Sequence, residues 1–542
     1  VLKNKNGYIP KNNGFTQAVV LFLAIIQLSL SQIRSVLCYN KSSMLSFCYS
    51  ASVLGFSGLV VEVECDVGRG LPGLTIVGLA AKTIDESRER VKSAIKNSNL
   101  QLPNQKITIN LAPANIPKDG SGFDLAMAIS ILVSSKQISK DSVAETAFIA
   151  ELSLDGRLRP VPGIITMLKA LKDKGVLNVF IAADNAAEAS LVSGLNIIAP
   201  SNLKQLYRHL VGEKSLLAQP LRHGLSVESD DSRIVVDFAQ VVGQNQAKRA
   251  LQIAAAGNHN ILLSGPPGAG KSMMAKALNG ILPPVTSDEI VEITEVHSLL
   301  GKEFDIQTDR PFRSPHYTAS TVAMIGGGHQ LRPGEISLSH HGILFLDELP
   351  EFNRSTIEAL RQPLEDGVVS ISRASRSATF PANFMLVATQ NPCPCGYYGD
   401  QARECQCSAQ QISQYQRKLS GPLLDRIDLQ VHVQRINTDK LLDKVNAERT
   451  SKKMRQEVIL ARRRQITRQK NRTNSILNNQ QVKNLVISSD ARNLLEKASE
   501  RFSLSARAFM RSVKVAQTIA DLDGDNSIQE SHIAEALQFR LS

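Results

Sequence analysis

The sequence predicts an α/β multidomain chain: a mixed α/β domain in front, a parallel-sheet core around a phosphate-binding loop, and an all-α segment behind. Three observations carry this. Between residues 54 and 210, short apolar runs alternate with helix-patterned ones, the rhythm of an α/β domain. The apolar runs Ile261–Leu263, Ile343–Leu346 and Phe384–Ala388 each lead into polar residues, as buried parallel strands do where a ligand sits at their carboxyl ends. Over Ala491–Leu541 apolar residues recur at helical spacing.

In the front domain, Leu59–Cys65 reads as a strand, residues 68–73 as a Gly/Pro turn and Leu74–Val77 as a second strand. Thr83–Ser98 reads as a charged helix with Val91 and Ile95 on one face. Ile107–Leu111 is a strand, and Lys118-Asp-Gly-Ser-Gly-Phe-Asp124 leads into an apolar helix over Leu125–Leu132. Phe148–Leu152, a helix through Leu171 and the strand Val179–Ala182 complete a domain bounded at 44–210. The polar, Gly/Pro/Ser-interrupted stretch Ser215–Ser232 marks a linker over 211–234. Ahead of the domain, apolar Ala18–Leu30 behind Lys3, Lys5 and Lys11 has a signal peptide's outline. It is shorter than the roughly 20 residues of a spanning helix, and no small-x-small cleavage site follows. Met44-Leu-Ser-Phe reads as a chain start. Residues 1–43 are therefore expected to be an extension outside the native chain, and the protein to be cytoplasmic with no membrane association.

The core is placed at 235–435. Its centre is Gly265-Pro266-Pro267-Gly268-Ala269-Gly270-Lys271-Ser272, between the strand Ile261–Leu263 and the helix-forming run Met273–Leu278. Gly-x-x-x-x-Gly-Lys-Ser in that setting cradles a polyphosphate: the glycines let backbone N–H groups wrap it, and the new helix points its positive end at it. Residues 265–273 are the predicted nucleotide contacts. Lys271 reaches the β- and γ-phosphates and the Ser272 hydroxyl lies on Mg²⁺. Asp347, at the end of Gly342-Ile-Leu-Phe-Leu-Asp-Glu348, is the second predicted Mg²⁺ residue, and Glu348 polarises the attacking water. ATP and Mg²⁺ are the expected cofactors.

Seven cysteines include two close pairs, Cys393-Pro-Cys395 and Cys405-Gln-Cys407, around a turn-rich loop. In a cytosolic nucleotide-binding chain such pairs point to metal rather than disulfides, and four thiolates can close a structural Zn²⁺ site. Residues 436–542 form the helical segment. Lys452, Lys453, Arg455, Arg462, Arg463, Arg464, Arg468, Lys470 and Arg472 crowd its first part. That run is either a solvated helix face or a salt-sensitive phosphate-binding surface without aromatic stacking.

Two resemblances extend this reading. Residues 44–210 resemble the proteolytic domain of Lon-type proteases, but the positions of the Lon nucleophile and its lysine are Gly122 and Met167. With neither hydroxyl nor amine there is no activated nucleophile, and the domain is expected to be non-proteolytic. Arg313-Ser-Pro-His316, Gly326-Gly-Gly-His329, Arg332-Pro-Gly-Glu335, Phe345–Pro350 and Gly421-Pro-Leu-Leu-Asp-Arg-Ile-Asp428 resemble the magnesium-chelatase-like branch of AAA+ ATPases. With the Lon-like front domain, this order is similar to that of the ComM (YifB) family over nearly everything from Met44 onward. The resemblance implies that Asn391 is the sensor placing the attacking water. It also implies that Arg426 is an arginine reaching a neighbouring subunit's γ-phosphate, and Arg507 a second sensor contacting phosphate from a helical lid. Arg511 is a rival for that last role. Residues 313–335 are expected to line the pore of the ring.

The family further implies a homo-hexameric motor moving single-stranded or branched DNA in recombination and natural transformation, independent of sequence. A formal charge of +12 fits an anionic partner. A second reading is a regulatory ATPase or chaperone acting on proteins. A third, an ATP-dependent protease, is opposed by Gly122 and Met167.

Overall fold

The structure, a computed structural model, describes residues 46–540 apart from 79–81, 117, 119, 222–235, 303, 329–330, 374–375, 401, 436–449 and 470–471. The extension 1–43, most of the linker, His329 and Lys470 lie outside the described residues.

The front domain is a seven-stranded sheet. Its strands are β1 (Ser46–Leu54), β2 (Ser57–Gly68), β3 (Gly73–Val77), β4 (Lys106–Ala112), β5 (Thr146–Ile149), β6 (Asn178–Ile181) and β7 (Asn196–Ile198), in the order β3-β4-β2-β1-β5-β6-β7. β2 pairs antiparallel with β1 and β4, and the other pairings are parallel. β1, a segment without a strand signature in the sequence, is a central strand. Its inward face carries serines rather than branched apolar residues, and each is satisfied: Ser50 Oγ donates to Phe148 O at 2.9 Å and Ser46 Oγ to Ser130 O at 3.0 Å. Buried hydroxyls with partners cost little, but they erase the alternation that marks a strand. The all-buried helix Asp124–Ser134 covers one face of this sheet.

The core sheet holds β8 (Ile261–Ser264), β9 (Phe312–Arg313), β10 (Ile343–Leu346), β11 (Met385–Gln390) and β12 (Leu429–His432), ordered β9-β10-β11-β8-β12. Every pairing is parallel, so all carboxyl ends share one edge, where the phosphate loop emerges. β8, β10 and β11 are buried almost throughout, as strands covered on both faces must be.

Helix Ser287–Ser298 joins the two domains. A reciprocal capping box between Thr286 and Glu289 starts it. Further along, Glu295 accepts from Thr166 Oγ1 (3.0 Å) and Lys169 Nζ (2.5 Å), and Ser298 Oγ donates to Glu188 at 2.5 Å.

Every element from Ser451 to Gln538 is helical. The basic helix Ser451–Gln469 packs Met454, Val458 and Ala461 into the core, and three of its arginines are structural. Arg462 donates to Ala255 O (2.8 Å) and Ala256 O (2.6 Å), carbonyls in the last turn of helix Asn245–Gly257, where cations are favoured. Arg464 donates to Asp521 O at 2.5 Å, and Arg468 clasps the Asp521 carboxylate at 2.7 and 2.8 Å. Among the described residues, Lys452, Lys453, Arg463 and Arg472, in or just beyond this helix, are exposed.

Candidate nucleotide site

The loop leaves β8 at Gly265. A Cβ there would lie 2.1 Å from Val433 O, so only glycine permits the approach, and Gly268 and Gly270 take left-handed φ of 77° and 85°. The helix Lys271–Leu278 begins at the loop's end, two residues ahead of the expected run Met273–Leu278.

Lys271 Nζ donates to Gly265 O (2.6 Å), Pro266 O (3.0 Å) and Asn391 Oδ1 (3.1 Å). It is folded back over the loop, with burial pulling its pKa down against the Asp347 and Glu348 charges. Ser272 Oγ donates to Asp347 Oδ2 at 2.9 Å, so the two predicted Mg²⁺ residues already touch. They fit the ion: a hydroxyl and a carboxylate oxygen are the hard donors Mg²⁺ accepts alongside water and phosphate. Asn391, one residue past β11, meets Lys271 at the same edge.

Thr389 belongs to the site although no motif marks it. Its hydroxyl donates to Asp347 Oδ1 at 2.5 Å and accepts from the Glu348 backbone N–H at 2.9 Å. One buried hydroxyl thus orients both acids from the neighbouring strand. Its signal was a polar residue directly following the apolar run Met385–Ala388. Glu348 itself sits at φ 53°, ψ 52°, a left-handed conformation that costs a non-glycine residue about 1–3 kcal/mol and collects at active sites.

The arginines lie elsewhere. Arg426 O accepts from Asn260 Nδ2 at 3.1 Å, beside the residue that precedes β8, whereas the phosphate loop follows β8. Four strand residues, about 13 Å, separate those ends. The Arg426 side chain pairs with Glu365 and with Pro422 O (2.6 Å), not with Asp425 or Asp428. Arg507 pairs with the other oxygen of Glu365 at 2.5 Å. Glu365 lines a crevice with Asn260, Asn383 and Asp428, at the amino ends of the strands. Arg426 and Arg507 are therefore brought together, but away from their own subunit's loop. Arg511 is engaged by Asp428 at 2.8 Å. Burial would raise the Asp428 carboxyl, but Arg511, His259 and the Asn260 N–H together hold it well below the usual range.

The four cysteines converge. Cys393–Cys395, Cys393–Cys405 and Cys395–Cys405 sulfurs are 3.4, 3.6 and 3.6 Å apart, and all four Sγ atoms lie within 4.8 Å. Tetrahedral Zn²⁺ with Zn–S near 2.3 Å needs sulfurs about 3.8 Å apart, so the donor set fits. Backbone N–H groups of Tyr397 and Gln406 draw Cys395 down to about 6. This loop leans on the phosphate loop, where an added Cβ on Gly396 would lie 2.6 Å from Pro267 Cδ.

In the segment expected to line a pore, Arg313 forms a bidentate fork with Glu335 at 2.6 and 2.8 Å, and His316 Nδ1 lies 2.9 Å from Thr318 Oγ1. Arg332 borders a cavity of about 240 Å³ shared with Gly122 and Met167. Ser121, which lines that cavity, donates to Glu151, while Lys118 donates to Pro113 O. A hairpin that no sequence signal marks pairs Val368–Arg373 with Arg376–Pro381.

Phosphate loop, paired Ser272–Asp347 and parallel five-stranded sheet together define a P-loop ATPase of the AAA+ class. Three family models match in sequence: magnesium chelatase subunit ChlI over residues 237–441, a second ChlI model over 63–185 and the ChlI C-terminal model over 448–540. The Haemophilus influenzae competence protein ComM is 42% identical over 503 residues, covering 92% of this chain and 97% of the relative. Escherichia coli YifB is 41% identical over 500 residues, with 92% and 97% covered. A magnesium-chelatase 67 kDa subunit of Chlorobaculum parvum is 28% identical over 162 residues, 29% of this chain and 24% of that subunit. The chain belongs to the ComM/YifB family of magnesium-chelatase-like AAA+ ATPases.

Proposed function

We propose that this ATPase of the ComM type is a cytoplasmic homo-hexameric motor that hydrolyses ATP at subunit interfaces to move single-stranded or branched DNA, independent of sequence. The observation that carries the interface assignment is the separation of Arg426 and Arg507 from the phosphate loop they are to serve. Arginines at one end of the sheet and phosphates at the other complete a site only when a second subunit supplies the arginines. Lys271, Ser272 and Asp347 bind the nucleotide and Mg²⁺, Glu348 takes the proton of the attacking water, and Asn391 places that water. No helix among the described residues is long and apolar enough to cross a membrane.

DNA as the partner is supported by the +12 charge, by the competence name of one relative and by the basic residues exposed on and just beyond helix Ser451–Gln469. The Lon-like front domain acts without proteolysis, because Gly122 and Met167 stand where a nucleophile and base belong. ATP turnover should rise with a four-way junction or single strands over duplex, and the stimulation should fade as salt rises, because phosphate contacts release counterions. Turnover indifferent to every DNA at low salt would instead favour a regulatory ATPase acting on proteins.

Cys393, Cys395, Cys405 and Cys407 would hold one structural Zn²⁺. Purified protein should contain about one zinc per chain, and a strong chelator should release it together with four titratable thiols. Because this loop abuts Pro267, chelation should weaken ATP binding by about tenfold or more. Zinc-free protein with native nucleotide affinity would refute the site and its coupling.

A further inference from the structure

Glu365 holds two arginines on one carboxylate. Its Oε2 takes Arg426 Nη2 and its Oε1 takes Arg507 Nη2 at 2.5 Å. Two guanidinium groups converging on adjacent oxygens of one anion have the geometry that recognises a phosphoryl group, since carboxylate and phosphate present the same fork of acceptors. The arrangement is half-open: Glu365 is 45% exposed and Arg507 47%, whereas Arg426 is 12% exposed. Arg426 is also incompletely satisfied, its buried Nε having no partner among the described residues.

We propose that Glu365 is a built-in placeholder for the neighbouring subunit's γ-phosphate, occupying the Arg426–Arg507 anion site until an ATP-loaded partner displaces it. This rests on the reading that both arginines act across the interface. The physical consequence is competition. A lone subunit keeps its two cationic groups partly neutralised and pre-aligned, and the incoming phosphate must outcompete a carboxylate that is free to swing into water. Only the fraction of subunits with Glu365 released is ready to close an interface, so apparent assembly is weakened by that fraction. At saturating subunit concentration the penalty vanishes from the measured rate, because every interface is then closed and Glu365 is displaced throughout.

The test is ATP turnover per subunit against protein concentration, at saturating ATP and Mg²⁺, for wild type, Glu365→Gln and Arg426→Ala. The Gln side chain keeps the shape at a half-exposed position and removes the charge, and a thermal melt checks that the variant is folded. The half-maximal concentration should fall about fivefold in Glu365→Gln, the scale of an exposed ion pair removed from the competing state, with the plateau rate retained. Sedimentation with ATP should show the same shift. An unchanged or raised midpoint in folded Glu365→Gln, or a collapsed plateau, overturns the proposal. Arg426→Ala separates the two levels. If it is inactive while Glu365→Gln leaves the midpoint alone, the placeholder fails and the interface reading stands. If it turns over ATP normally, the interface reading itself has failed.

Discussion

Glu348→Gln should leave ATP bound and lower its turnover by about 10²–10⁴-fold, the range for removing a positioned general base. The separation of the two effects follows from the local geometry. The contacts expected to hold nucleotide and Mg²⁺ are those of Lys271, Ser272 and Asp347, and Asp347 is fixed independently by Thr389 and Ser272. Glu348 is anchored through its backbone N–H to Thr389, so an isosteric amide keeps the left-handed turn and changes only proton affinity. Nucleotide affinity from equilibrium binding, beside steady-state turnover, tests this directly. Turnover that stays within a few-fold of wild type, or binding lost in parallel with it, would take the base role away from Glu348.

The same Thr389 shows where the sequence stopped being informative. Motif residues were legible because chemistry fixes both their type and their spacing: Gly265 to Ser272, Asp347 with Glu348, and the cysteine pairs stand together in space much as they stand in the chain. The core strands were legible because burial on both faces leaves uninterrupted apolar runs. Thr389 was hidden because one hydroxyl at a strand end is common and its two partners are about 40 residues away. β1 was hidden by its buried serines. The hairpin Val368–Arg373 and Arg376–Pro381 carries alternating polar residues without a Gly turn to announce it. The basic helix misled in the opposite direction. Charge density along Ser451–Gln469 reads as one solvent-facing surface, yet Arg462, Arg464 and Arg468 close carbonyls and Asp521 in a contact set no local pattern contains. Only the fold says which guanidinium faces inward.

Arg426→Ala should cost about 10³–10⁵ in turnover, the value of an arginine stabilising charge on a transferring phosphoryl group, with nucleotide affinity little changed. Its backbone lies beside the residue that precedes β8 while the phosphate loop lies beyond the strand's other end. Its loss should therefore be invisible to the nucleotide of its own subunit. That makes mixing decisive. An Arg426→Ala subunit retains a complete Glu348 side, and a Glu348→Gln subunit retains a complete arginine side. Neither turns over ATP alone, but a mixed ring contains interfaces that join the two intact halves, and those interfaces should fire. Recovery should track the fraction of such interfaces as the mixing ratio is varied, passing through a maximum near equal amounts. A same-subunit role for Arg426 predicts no recovery at any ratio in rings verified to be mixed, because every subunit would then carry one lesion in its own site. Arg507→Ala mixed with Glu348→Gln applies the same reasoning to the second arginine. Because Glu365 ties Arg507 to Arg426 at the amino ends of the strands, Arg507 should be rescued in the same way, as a residue working across the interface rather than over its own nucleotide.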